Sequence, residues 1–286
     1  MTPPARRAVT PVKGLALVAG LALALVGLRA TVLAPDQGPH REDPAIDRET
    51  CPAEGRIGSS AHGERAQRPA SGYTFLFATG GDDCFPARFN PCEPVPFVLN
   101  DTLAPPGGVD DVRAAFDELA SATGITFVEE GTTDEPLGVR REPYQPERYG
   151  RRWAPILVGW SALGIPQRTE GSGDDIIVVG RGRPLRVGEV LVSGVLELNA
   201  DAVIDRSTGA PLPGGFGPGI TRGRVMLHEL GHVVGLGHAG SPAQLMYPEL
   251  AEHTAPTAAF GVGDLAGLRL LGAEAGCVEV PPLLGS

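Results

Sequence analysis

Residues 228–238 read HELGHVVGLGH. His228, His232 and His238 are half of the six histidines in the chain. Four residues of α-helix advance about 6 Å and turn about 40° past a full revolution. His228 and His232 therefore share one face, one above the other. Both imidazoles can reach one ion, as zinc–nitrogen bonds of about 2.0 Å require. Glu229 lies too far round the helix to be a third ligand, but it can reach a water on the metal and accept its proton. Gly235 can adopt positive φ at no Cβ cost. It can end the helix and turn the chain so that His238 swings back as the third ligand. Three neutral imidazoles leave zinc one exchangeable position and a charge that acidifies a bound water. Iron and manganese sites usually include a ligating carboxylate. Glu229 is the only acid in the motif, and its position suits a base.

A purely structural zinc site is the sharper rival. It needs a fourth protein ligand and has no use for Glu229. His40 and His62 stand in a polar tail and His253 follows a loop, and these are the remaining histidines.

The motif needs a framework to hold it. In GGVDDVRAAFDELASATG, Val109, Val112, Phe116 and Leu119 recur at spacings of three and four, which predicts a helix that stops at Gly124. ITFVEEG follows as a strand, and PVPFVLN at 94–100 precedes it as another. That strand–helix–strand order suggests a helix packed on a sheet. Tyr73 to Phe77, APILVGW at 154–160 and DIIVVG at 175–180 are further strand candidates. EVLVSGVLELNA at 189–200 supplies one or two more. GVGDLAGLRLLG at 261–272 is the last predicted helix, with Asp264 near its start.

The chain has 286 residues and a net charge of −10. It lacks a basic patch with interleaved aromatics, so nucleic acid is not an expected partner. MTPPARRAVTPVK carries three positive charges and no acid, and the uncharged run GLALVAGLALALVGL follows at 14–28. This pattern reads as an export signal over residues 1–30. Pro35 after Val32-Leu33-Ala34 hinders cleavage, so an uncleaved membrane anchor stays open. Residues 31–71 are polar and unpatterned and read as a linker or pro-like segment. A single core domain is expected over 72–286. Cys51, Cys84, Cys92 and Cys277 form no CxxC pair, and four cysteines allow three pairings. The favoured pairing joins Cys92 to Cys277 and Cys51 to Cys84, in an oxidising compartment.

With the motif goes a wider likeness. HELGHVVGLGH followed by SPAQLMYP resembles the metzincin pattern HExxHxxGxxH with its methionine turn, here at Met246. Gly231 and Leu245-Met246-Tyr247-Pro248 are similar to the matrixin branch. Position 248 is Pro where astacins carry a tyrosine ligand, so Tyr247 is not assigned to the metal. FNPCEPVPFVLN, SATGITFVEEGTT, RWAPILVGW and GVGDLAGLRLLG resemble secreted bacterial matrixin-like proteins. The resemblance implies a mixed α+β and α/β zincin domain. Its five-stranded sheet is twisted and mostly parallel and carries three helices. Substrate would lie extended along an edge strand. The chain has no PRCGxPD propeptide sequence, and its histidines are too few for a second, structural zinc. Loops near Asp174 and Asp175 are a candidate calcium site, although two acids in a glycine-rich loop usually form a solvated turn.

The expected activity is therefore zinc-dependent endopeptidase action on extracellular protein or peptide substrates, with Glu229 as general base. A catalytically silent zinc-bearing module at the cell surface and hydrolysis of a non-peptide amide are the alternatives.

Overall fold

The computed structural model describes residues 72–79, 85–138, 140–163, 179–205, 209–249 and 257–283. The expected signal or anchor, the polar segment, Cys51, Cys84, His40, His62, His253, Asp174 and Asp175 lie outside them. Among the described residues no helix is long and apolar enough to cross a membrane.

In chain order the elements are β1 (Ala78–Thr79), β2 (Phe85–Pro86), β3 (Val95–Asn100) and α1 (Gly108–Thr123). Then come β4 (Phe127–Thr132), the single turn α2 (Pro146–Tyr149) and β5 (Ile156–Ser161). β6 (Gly180–Val187), β7 (Val190–Asn199), β8 (Val203–Asp205) and β9 (Ala210–Pro211) follow. α3 (Arg222–Val233) and α4 (Val262–Leu271) come next, and a short 3-10 turn (Ala273–Ala275) follows α4.

β4, β3, β5, β7 and β6 form one open five-stranded sheet in that order. Its pairings are parallel except for β6, which runs antiparallel to β7 at the edge. The mixed fold and the mostly parallel five-stranded sheet agree with the expectation. α1 stops at Gly124 as expected, with φ 70° and its N–H donated to the Ala120 carbonyl.

Strand alternation divides the sheet's side chains between two faces. Phe97, Leu99, Ile156, Val158, Trp160, Leu196 and Leu198 join one core with Val112, Phe116 and Leu119 of α1 and Val225, Leu230 and Val233 of α3. Phe97 and Phe116 stack with ring centroids 3.9 Å apart. β5 is buried on both faces, which explains its unbroken apolar run. The second face is covered by the loop after β4, where Leu137 rests over Gly159. Arg141 anchors that loop. Its guanidinium donates to both oxygens of Glu135 at 2.8 and 3.0 Å and to Ser193 Oγ of β7 at 2.6 Å. Gln145 Nε2 and the Tyr149 hydroxyl also donate to Glu135, each at 2.7 Å.

One expectation needs correction. Residues 73–77 do not form a strand. They make a single antiparallel bridge, Phe75 to Leu236, because the glycine-rich turn after α3 offers them only a short partner. The strand expected at 175–180 is described only from its last two residues, and β6 starts at Gly180 and continues through GRGRPLRV. Glycine, proline and arginine hid this strand. Pro184 is tolerated because β6 is an edge. Gly182 is there because a Cβ would collide with the Glu229 carbonyl oxygen of α3.

Cys92 and Cys277 form a disulfide, as favoured. The bond ties the start of the sheet to the chain after α4. Val278 N donates to Asn90 Oδ1 and Trp153 Nε1 to the Pro281 carbonyl, so the terminal segment is fastened along the same end of the sheet.

Candidate metal centre

α3 starts at Thr221, whose hydroxyl accepts from the Arg224 N–H at 3.3 Å. An N-cap of this kind contributes about 1 kcal/mol. The helix is buried from Gly223 to Val233 because it packs against β6 and β7 of the sheet and against α1. His228, Glu229 and His232 are all fully buried on it. At its end Gly235 has φ 102°, as the turn toward His238 requires. Its N–H donates to His232 O, and Leu236 N–H donates to Gly231 O.

This turn brings the three imidazoles together. One ring nitrogen from each of His228, His232 and His238 lies within 4.8 Å of the others. His232 Nε2 and His238 Nε2 are 3.2 Å apart. His228 Nδ1 donates to the Leu245 carbonyl and His232 Nδ1 to the Leu236 carbonyl, both at 2.8 Å. A carbonyl only accepts, so each neutral ring carries its hydrogen on Nδ1 and its lone pair on Nε2. Such second partners fix both the tautomer and the orientation of a metal-binding imidazole. Burial pushes His232 down to about 4, against the opposing effect of its bond to Leu236. The ring stays neutral at ordinary pH, which is the form that binds a metal. Among the described residues, these three histidines form the group able to hold an ion.

Glu229 points away from that group's helix face, toward β6. Its Oε2 accepts the Gly182 N–H at 2.6 Å. Its Oε1 has no hydrogen-bond partner among the described residues. Burial pushes its carboxyl up to about 8, while the Gly182 N–H and the Arg181 charge pull the other way.

Met246 is fully buried beneath α3. A Cβ at Gly231 would lie 2.5 Å from its sulfur. Glycine between the two helical histidines therefore lets the thioether pack against the helix backbone, the soft apolar floor expected of Met246. Met246 O also accepts the Ala239 N–H at 2.8 Å, directly after the third histidine.

Sequence reasoning missed how this turn is held. Gln244 Oε1 accepts the N–H groups of Gly263 and Asp264 at 2.8 and 3.1 Å. Asp264 answers by accepting from Gly261 N at 2.9 Å, Leu245 N at 2.5 Å and Met246 N at 3.4 Å. Burial raises the Asp264 carboxyl to about 6, with these three N–H bonds opposing it. An acid in the first turn of a predicted helix is visible in the sequence and suits a helix start. Nothing in the local pattern says that it also serves a turn about twenty residues upstream.

Comparison with known proteins agrees with this geometry over a limited stretch. The matrixin family model matches residues 206–271, which contain α3, the three histidines, Met246 and α4. Over that region the chain is similar to matrixin peptidases. No curated protein matches the chain.

Proposed function

We propose that this chain is a zinc-dependent endopeptidase acting on proteins outside the cytoplasm. His228, His232 and His238 hold the metal and Glu229 is the general base. The observation that carries this reading is the convergence of three imidazole nitrogens within 4.8 Å, with a buried carboxylate on the adjacent helical residue.

The donor set fits zinc. Nitrogen ligands from three neutral imidazoles, without a carboxylate among them, match a catalytic zinc site that keeps a position open. Zinc held there supplies Lewis-acid polarisation of a carbonyl and acidification of a water. The chain supplies the proton handling. Glu229 Oε1 accepts the proton of the attacking water while Oε2 stays on the Gly182 N–H, which fixes the orientation of the carboxylate. The same carboxyl then delivers that proton to the leaving amine nitrogen as the C–N bond breaks. An extended substrate aligns along β6, the strand at the edge of the sheet, by strand addition. The disulfide between Cys92 and Cys277 supports an oxidising compartment.

The test uses the full-length chain and its Glu229→Gln variant, with zinc content measured beside cleavage of an unstructured protein. One zinc per chain in both, with cleavage lost by at least about 100-fold in the variant, is the expected result. Full activity in the variant removes Glu229 from the mechanism. Zinc in both forms, with no cleavage of a peptide library by either, replaces the enzyme with a zinc-bearing binding module.

A further inference from the structure

His238 differs from the other two histidines because no helix holds it. Its position depends on the path of residues 235–239, and a segment more than 150 residues upstream fixes that path. Leu76 N donates to Gly235 O at 2.9 Å, and Gly237 N donates to Thr74 O at 2.7 Å. Phe75 bridges to Leu236, whose carbonyl also orients His232. The half-buried Thr74 hydroxyl donates to the His238 carbonyl at 2.8 Å. Gly237 permits this approach, since a Cβ there would collide with Thr74 Oγ1.

We propose that Thr74 is a positioning residue for the third metal ligand, and that the segment Thr74–Leu76 makes metal retention depend on chain that precedes the sheet. This rests on the metal-centre reading above. The hydroxyl pins one side of the His238 peptide. On the other side the Ala239 N–H is pinned to Met246 O. With both held, the imidazole stays aimed at the point where His232 Nε2 aims. Without the hydroxyl, the His238 carbonyl loses a fixed donor and the ligand samples other orientations before it binds. Preorganisation of this kind is what partners behind the ligands contribute to metal affinity.

The test compares the full-length chain with Thr74→Val, Thr74→Ala and Thr74→Ser. Zinc affinity is read by competition with a chromophoric chelator, and ligand geometry by the visible absorption of the cobalt-substituted protein. Val and Ala are expected to weaken zinc binding about tenfold and to alter the cobalt spectrum. Ser keeps the hydroxyl and is expected to stay within about twofold of the native chain. Native affinity in both Val and Ala overturns the proposal. So does a Ser variant as weak as the other two, because the methyl rather than the hydroxyl would then matter. Should the Val variant fail to fold, the Ala and Ser pair makes the same decision. A variant set that shifts only the melting temperature of the metal-free protein, with unchanged zinc affinity, also overturns it. If the native chain binds no zinc, both this inference and the metal-centre reading fall.

Discussion

Asp264 accepts the Leu245 N–H at 2.5 Å, and the carbonyl of that same Leu245 accepts His228 Nδ1 at 2.8 Å. One residue, through its two flanking peptide groups, thus links a carboxylate on α4 to an imidazole on α3. The methionine turn lies between two helices and is tied to both. Its geometry is therefore set by residues outside the histidine motif.

Removing that carboxylate should be costly. Asp264→Ala leaves the N–H groups of Leu245 and Gly261 buried or half-buried without their acceptor. A loss of roughly 3 kcal/mol is expected, together with weaker zinc binding through a loosened Leu245 carbonyl. Asp264→Asn retains one acceptor oxygen and should lose less. Urea unfolding of the metal-free proteins and zinc titration check both effects. Equal stability of the Ala variant and the native protein would remove Asp264 from this role.

Gly231 within α3 and Gly182 of β6, packed against it, should respond differently to alanine. At Gly231 the added Cβ meets the end of the flexible Met246 side chain. About 1–3 kcal/mol is expected for such overpacking, partly relieved by Met246→Ala in the same chain. At Gly182 the Cβ meets the backbone of Glu229, which has no room to give. Gly182→Ala should therefore cost more and should also displace the N–H that orients Glu229. Thermal melts of the two variants, and of the Gly231–Met246 double variant, decide the order.

The buried pair of Glu135 and Arg141 should make stability depend on acid. Burial raises the Glu135 carboxyl, but its bonds from Arg141, Tyr149 and Gln145 outweigh this and hold it below its ordinary 4.5. The folded state therefore favours the charged form. The stabilisation is complete above 4.5 and is lost as pH falls through the lower folded value. In Glu135→Gln the acid-side slope of stability against pH should be shallower than in the native protein, as denaturant midpoints between neutral pH and about pH 3 would reveal. Arg141→Met leaves the carboxylate buried without its charge partner and should cost about 3–5 kcal/mol near neutral pH.

Reduction of the Cys92–Cys277 bond should also destabilise the domain. The bond closes a loop with a sequence separation of 185. Loss of about 2–5 kcal/mol is expected for Cys277→Ser, measured by denaturant unfolding against the oxidised native chain. An unchanged midpoint would show that the terminal segment is held by its other contacts alone.

The sequence by itself determined the histidine group and the elements with a strong local period. His228 and His232 share a face because four residues nearly complete a helical turn, whatever the rest of the chain does. Gly235 predicted its own positive φ because only glycine takes that conformation without cost. α1 was legible because its apolar residues recur at the helical period, and β3, β5 and β7 because each is a short apolar run bounded by turn residues. The methionine below the helix was legible from its pattern, although the contact that explains Gly231 was not.

Only the tertiary structure decided which distant residues support these. β6 was hidden because its glycines answer to a helix packed against them and its proline to an edge position, and neither partner is a sequence neighbour. The segment 73–77 carried the apolar content of a strand but pairs with a glycine turn at the far end of the chain. Thr74, Gln244 and Asp264 are ordinary polar residues in loops and a first helical turn. Their bonds to the His238 carbonyl and to the methionine turn join positions whose spacing obeys no local period. Two imidazoles on one face can be read from helical repeat, whereas the hydrogen bonds that aim them depend on which backbone groups the fold leaves facing each other.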